Sequence, residues 1–158
     1  MYIRYEDEDF ENVDAVAIIK GSAEFPGIRG LVRFYQTDNG VYVITYVTGL
    51  PKGSDVCSSP VLAMHIHEGN SCEDRNGELP FELSGSHYNP NGCKHPYHAG
   101  DLPPLFSAGG IAMSSVLTNR FSVREVVGKT VIIHSGVDDF TSQPSGNAGK
   151  KIACGVIQ

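Results

Sequence analysis

Short apolar runs, some alternating with polar residues and some continuous, are broken at close intervals by glycine, proline or acidic turns along this chain. The runs span residues 13–20, 28–35, 41–47, 61–67, 111–116, 130–134 and 152–157, and are rich in Val, Ile, Tyr and Ala. Length and residue type both predict strands. Asp38-Asn39-Gly40, between the second and third runs, is a hairpin signal, because Asn-Gly readily takes the positive φ angles of tight turns. One short helix fits Ser122-Val-Arg-Glu125, which has the capping-box form, with Gly128 placed to close it; irregular chain fits nearly as well. With 18 glycines and 9 prolines between the runs, the expected class is all-β, a sandwich or barrel. Residues 68–105 and 135–150 remain as two long polar loops. Loops of that length inside a compact domain are usually functional.

Composition changes this picture little. At 158 residues, with 41% apolar and 19% charged positions, residues 1–158 read as a single domain with an acidic extension at residues 1–12. A net charge of −6 argues against nucleic acid or an anionic membrane surface as partner. No stretch approaches the roughly 18 apolar residues of a membrane span. Glu6, Asp7, Glu8, Asp9 and Glu11 are the opposite of a basic, then apolar signal peptide. The chain as given is therefore expected to be cytoplasmic, or extracytoplasmic if a leader has been removed.

The candidate chemistry lies in the histidines. All six fall between His65 and His134, and most stand in close groups: His65-Ile-His67, His87, His95-Pro-Tyr-His98 followed by Asp101, and His134. Strand alternation places His65 and His67 on one face and Leu62, Met64 and Ile66 on the other. The apolar face must be the buried one, so the imidazoles point out of the barrel, beneath the loops. His134 ends a second strand run and can project to the same point. Pro96, Gly100 and Pro103 exclude a regular helix around His95, His98 and Asp101, so their spacing suits a loop wrapped round an ion. Three imidazoles with one carboxylate suit a closed tetrahedral zinc site. An all-nitrogen set of His65, His67, His134 and a fourth histidine suits tetragonal Cu(II).

Cys57, Cys72, Cys93 and Cys154 allow three connectivities if all pair, and none is in a CxxC motif. Cys57 lies up to about 26 Å from His65 along an extended strand, which makes a direct bridge to Cys93, beside His95, doubtful. Both are expected to be free.

Taken together, the segments His65-Ile-His67-Glu-Gly, Gly85-Ser-His87-Tyr-Asn-Pro, His98-Ala-Gly-Asp101-Leu, Val131-Ile-Ile-His134 and Gly146-Asn-Ala-Gly149 through Ala153-Cys154-Gly-Val-Ile157 resemble the Cu,Zn superoxide dismutases, from about Val13 to the C-terminus. The bacterial branch is the nearer likeness. The resemblance implies an eight-stranded Greek-key β-barrel with two long functional loops. It implies copper on His65, His67, His87 and His134, and zinc on His87, His95, His98 and Asp101, with His87 bridging as an imidazolate. The activity it implies is disproportionation of superoxide to oxygen and hydrogen peroxide, with copper cycling between Cu(II) and Cu(I) and His87 relaying a proton beside a redox-inert zinc. Asp138 would hydrogen-bond one histidine of each metal, and Cys72 and Cys154 would form a disulfide. Lys151 stands where the family has an arginine that attracts the anion; it keeps the charge without the planar fork of donors, so activity is expected to survive at a reduced rate. A homodimer is compatible with the family. The competing expectation is a non-catalytic copper or zinc carrier on the same barrel, and a weaker one is an interaction module that kept the loops.

Overall fold

The computed structural model describes residues 12–77 and 79–158. The acidic segment through residue 11 lies outside them. The strands are β1 (Ala15–Gly21), β2 (Arg29–Thr37), β3 (Gly40–Thr48), β4 (Val61–Leu62), β5 (Met64–His67), β6 (Leu105–Phe106), β7 (Ile111–Thr118), β8 (Thr130–His134) and β9 (Lys151–Val156). They number eight when β4 and β5, interrupted only at Ala63, are taken as one. Each predicted run is a strand. β6 is the addition: two residues placed directly after Pro103-Pro104, where the run is too short to show a period.

Seven strands form one antiparallel sheet in the order β5-β8-β9-β1-β2-β3-β7, and β4 pairs with β6. The sheet curls into a half-barrel, and β6 packs beside β7 to bring its two ends together. The neighbours β9–β1 and β3–β7 are far apart in sequence, which is the Greek-key arrangement. In the β2–β3 hairpin the turn residues are Asp38 and Asn39. Gly40, at φ +135, already pairs with Thr37. The predicted helix is α1 (Val123–Val126): Glu125 Oε2 accepts from Ser122 N and Oγ, both at 2.7 Å, and Gly128 turns the chain away at φ +86.

Alternation fills the barrel. Ile19, Val32, Phe34, Val43, Met64, Ile66, Ile133 and Ile152 are all buried in one core. β8 is buried on both faces, because the two long loops cover its outer side. There Ile132 and Cys154 form a second small cluster with Phe81 and Cys72. The Cys72–Cys154 disulfide closes it, with Cα atoms 5.7 Å apart across 82 residues of chain. Cys57 and Cys93 are free and exposed. Among the described residues no helix is long and apolar enough to cross a membrane.

Candidate metal centre

Two strands set the first three imidazoles. In β5 the side chains of Met64 and Ile66 enter the core, so those of His65 and His67 leave on the outer side. β8 runs antiparallel beside it, pairing Ile132 with His65 and Thr130 with His67. On its other side β8 pairs with β9, where a register irregularity falls between Ile133 and His134, and His134 Nε2 comes within 3.3 Å of His67 Nε2.

The first long loop is fastened to the free edge of β5 by backbone bonds. Tyr88 N donates to Ile66 O (2.8 Å), Ile66 N to Gly100 O (2.8 Å) and Gly100 N to Tyr88 O (2.9 Å). A side chain at Gly100 would run into Ile66 O, so this close approach requires glycine. The effect is to set His87 opposite His67 and Asp101 opposite His65. His87 Nδ1 then lies 2.8 Å from Asp101 Oδ1 and 3.4 Å from His98 Nδ1, while Asp101 Oδ2 lies 3.0 Å from His95 Nδ1 and 3.3 Å from His98 Nδ1. A tetrahedral ion with bonds of about 2.0–2.1 Å to nitrogen holds neighbouring ligand atoms about 3.3 Å apart. The loop group has the spacing of such a shell.

The ligand atoms of His65, His67, His87 and His134 lie within 4.8 Å of one another, as do those of His87, His95, His98 and Asp101. Both groups could hold a metal ion, and they share His87. Its ring centroid is 3.9 Å from that of His65 and 5.4 Å from that of His98.

Hydrogen bonds settle the tautomers of the three strand-borne rings, because a carbonyl or carboxylate oxygen can only accept. His67 Nδ1 donates to Gly85 O (2.8 Å) and His134 Nδ1 to Gly149 O (3.3 Å), which leaves both Nε2 atoms as bare lone pairs. Asp138, buried, receives His65 Nε2 on Oδ2 (2.9 Å) and His95 Nε2 on Oδ1 (2.8 Å), and Phe140 N also donates to Oδ1 (2.7 Å). One carboxylate thus fixes a ring in each group, as outer partners of metal-binding histidines commonly do. Gly146, at φ +69, leaves room for this: a Cβ there would strike Asp138 Oδ1 and His95 Nε2. His65 Nδ1 and His87 Nε2 are buried and have no hydrogen-bond partner among the described residues, and His95 Nδ1 makes no hydrogen bond although Asp101 Oδ2 lies 3.0 Å away. Buried ring nitrogens left this way are costly unless a cation meets them. The donor set fits two metal ions.

Electrostatics point the same way. Burial, then the neighbouring His87 and His134, lowers the pKa of His65 to about 2. Burial chiefly lowers that of His134 to about 4, and burial and His134 hold His67 well below its ordinary value. These rings stay neutral and available as ligands. Burial alone would raise the Asp101 carboxyl, but the hydrogen bond and charge of His87, with His95 and His98, outweigh it and lower it. A cleft of about 510 Å³ reaches His67, His87 and His134 from outside and is also lined by Pro144, Gly149 and Lys151. Lys151 Nζ donates to Ser84 Oγ (2.8 Å), Gly85 O (2.9 Å) and Phe81 O (3.3 Å). Burial lowers its pKa, with the charge of Glu82 opposing.

Every expected ligand, Asp138 and Lys151 are therefore drawn into one region. What sequence reasoning missed are groups that act through the backbone or through a neighbour: the Gly85 and Gly149 carbonyls, and Ser84, which is fully buried beneath Lys151. No local pattern marks them.

Comparison with known proteins gives concordant results. A model of the copper/zinc superoxide dismutase family matches residues 28–157. The chain is 38% identical to a Cu-Zn superoxide dismutase of Photobacterium leiognathi over 142 residues, covering 82% of this chain and 78% of that protein. It is 32% identical to the copper chaperone for superoxide dismutase of Mus musculus over 158 residues, 90% of this chain but 52% of that protein. The solved Cu/Zn superoxide dismutase from Brucella abortus superposes with a TM-score of 0.76 at 25% identity, covering 92% of this chain and all of that one.

Proposed function

Because the chain belongs to the copper/zinc superoxide dismutase family, a family of oxidoreductases, we propose that it converts two superoxide anions and two protons into oxygen and hydrogen peroxide. In this reading residues 1–158 act as one domain, His65, His67, His87 and His134 hold copper, and His87, His95, His98 and Asp101 hold zinc. The observation that carries it is the position of His87. Its Nδ1 faces Asp101 and His98, while its buried Nε2 is left to the strand-borne histidines. Bound copper supplies one-electron exchange with superoxide, and bound zinc a fixed charge without redox chemistry.

The protein's own groups do the rest. Contacts at Nδ1 keep the His87 ring in place while Nε2 takes up and returns a proton. Asp138 fixes His65 and His95, so the two halves keep their geometry together. Lys151 lends a positive charge to a chain that is otherwise acidic overall, beside the cleft through which the anion enters. Its three ammonium protons face three protein oxygens, so it acts as a charge and not as a hydrogen-bonding fork. An intrachain disulfide suits an oxidising compartment, which favours extracytoplasmic placement.

The test is to load the full chain with copper and zinc, measure bound metal, and follow superoxide consumption. The expected result is both metals in each chain with turnover that falls as salt rises. Both metals without turnover would overturn the reading and favour a second one, a copper carrier, which the similarity to a copper chaperone supports.

A further inference from the structure

Arg120 stands in the connection between β7 and α1, on a stretch of chain that carries none of the ligands. Its backbone is held to the barrel. Arg120 N donates to Thr118 Oγ1 (3.3 Å), the next residue, Phe121, is buried in the core, and Ser122 caps α1. The side chain reaches across to the first long loop. There a single nitrogen, Nη1, meets three carbonyl oxygens: Pro96 O at 2.9 Å, His98 O at 3.3 Å and Asp101 O at 3.4 Å.

Those carbonyls come from one tight turn that also carries two of the four loop-borne ligands. Tyr97 N donates to Lys94 O just before it (2.8 Å), and within it Asp101 N donates to His98 O (3.3 Å). Carbonyl oxygens gathered on one side of a turn repel one another, and a cation placed among them removes that repulsion. A rigid planar guanidinium loses less freedom per bond than a lysine would in doing so.

We propose that Arg120 is a positioning residue for the loop-borne metal group: by gathering the Pro96, His98 and Asp101 carbonyls it aims the His98 ring and the Asp101 carboxylate at His87 and His95. This rests on the assignment of zinc to that group. These three hydrogen bonds of Arg120 go to backbone carbonyls and not to ligand side chains. The residue acts through the backbone that carries them, from a part of the barrel the ion never meets.

The experiment uses the full-length chain, stripped of metal and titrated with cobalt(II) as a probe of the loop-borne group. Affinity is read by competition with a chelator, and geometry by the visible absorption of tetrahedral cobalt(II). Copper(II) affinity of the strand-borne histidines is the internal control. Arg120→Ala is expected to weaken cobalt binding about 10–100-fold and to alter its absorption, the range usual for outer partners of metal ligands. Copper binding should stay unchanged, and Arg120→Lys should recover part of the loss. Should Arg120→Ala not fold, Arg120→Lys and Arg120→Gln, which keep donors at that place, are expected to show graded losses. Cobalt affinity and absorption equal to the parent's would overturn the proposal. So would equal loss of cobalt and copper, which would mean general destabilisation. A parent chain that gives no tetrahedral cobalt spectrum would instead overturn the zinc assignment.

Discussion

His65, His67 and His134 stand on paired strands, whereas His87, His95, His98 and Asp101 stand on a loop with no ladder of its own. The strand-borne rings are aimed by the pleat and by the core beneath: to turn His65 elsewhere, Met64 and Ile66 would have to leave the core. The loop-borne side chains are aimed by many small fastenings. Backbone bonds join Tyr88 and Gly100 to Ile66, the Asp138 carboxylate holds His95, and Arg120 meets three carbonyls. Burial of apolar residues orders the first half whether or not metal is bound. The second half is held by polar contacts converging on the ion's place. The difference predicts that strand-borne geometry tolerates distant changes that loop-borne geometry does not.

The strongest way to break the contrast is to remove the ring both halves share. His87→Gln should lower superoxide turnover at least about 10²-fold, the order lost with a positioned proton-transfer group, and should weaken both metals in a chelator competition. A loss confined to one metal would mean the ring belongs to one half only. Next comes the carboxylate that spans them. In Asp138→Asn only the amide oxygen can accept, so one ring loses its partner, and affinity should fall about 10–100-fold at one or both groups. Metal titration of each group shows which, and the contrast predicts the larger loss on the loop side.

Replacing Cys72 and Cys154 together by serine tests the cover over β8. The chain should lose about 2–5 kcal/mol in denaturant unfolding, while copper affinity changes less than zinc affinity. The smallest effect concerns Lys151. Lys151→Arg should raise the superoxide rate at low salt by a few-fold, well short of the roughly 10–10³ of a whole steering field. The sign of its pH effect follows from burial. A lysine whose pKa is lowered loses its charge at lower pH than a free one, so the parent's rate should fall in moderately alkaline solution. The arginine variant should hold its rate there. Equal alkaline profiles would remove Lys151 from the role.

The contrast also explains what was legible in the sequence. Strand runs and the outward face of His65 and His67 follow from a two-residue period, a local property that core packing enforces. β6 escaped because two residues after a proline pair show no period. The loop group could be suspected from its ligand types, yet its fastening to β5 depends on a backbone approach at Gly100 that no pattern announces. Four cysteines allow three pairings, and family likeness alone pointed to the one that forms. Asp138 came by the same route. Arg120 and Ser84 were invisible, because each works through groups distant in the chain and matches no motif.

The central claim is that one imidazole serves two ions. Electron paramagnetic resonance of the copper(II)-loaded chain, recorded before and after cobalt(II) is added, tests it directly. A shared ring couples the two paramagnetic ions, so the copper signal should collapse as cobalt binds and should persist in His87→Gln. An undiminished copper signal in the parent chain with cobalt bound would contradict it.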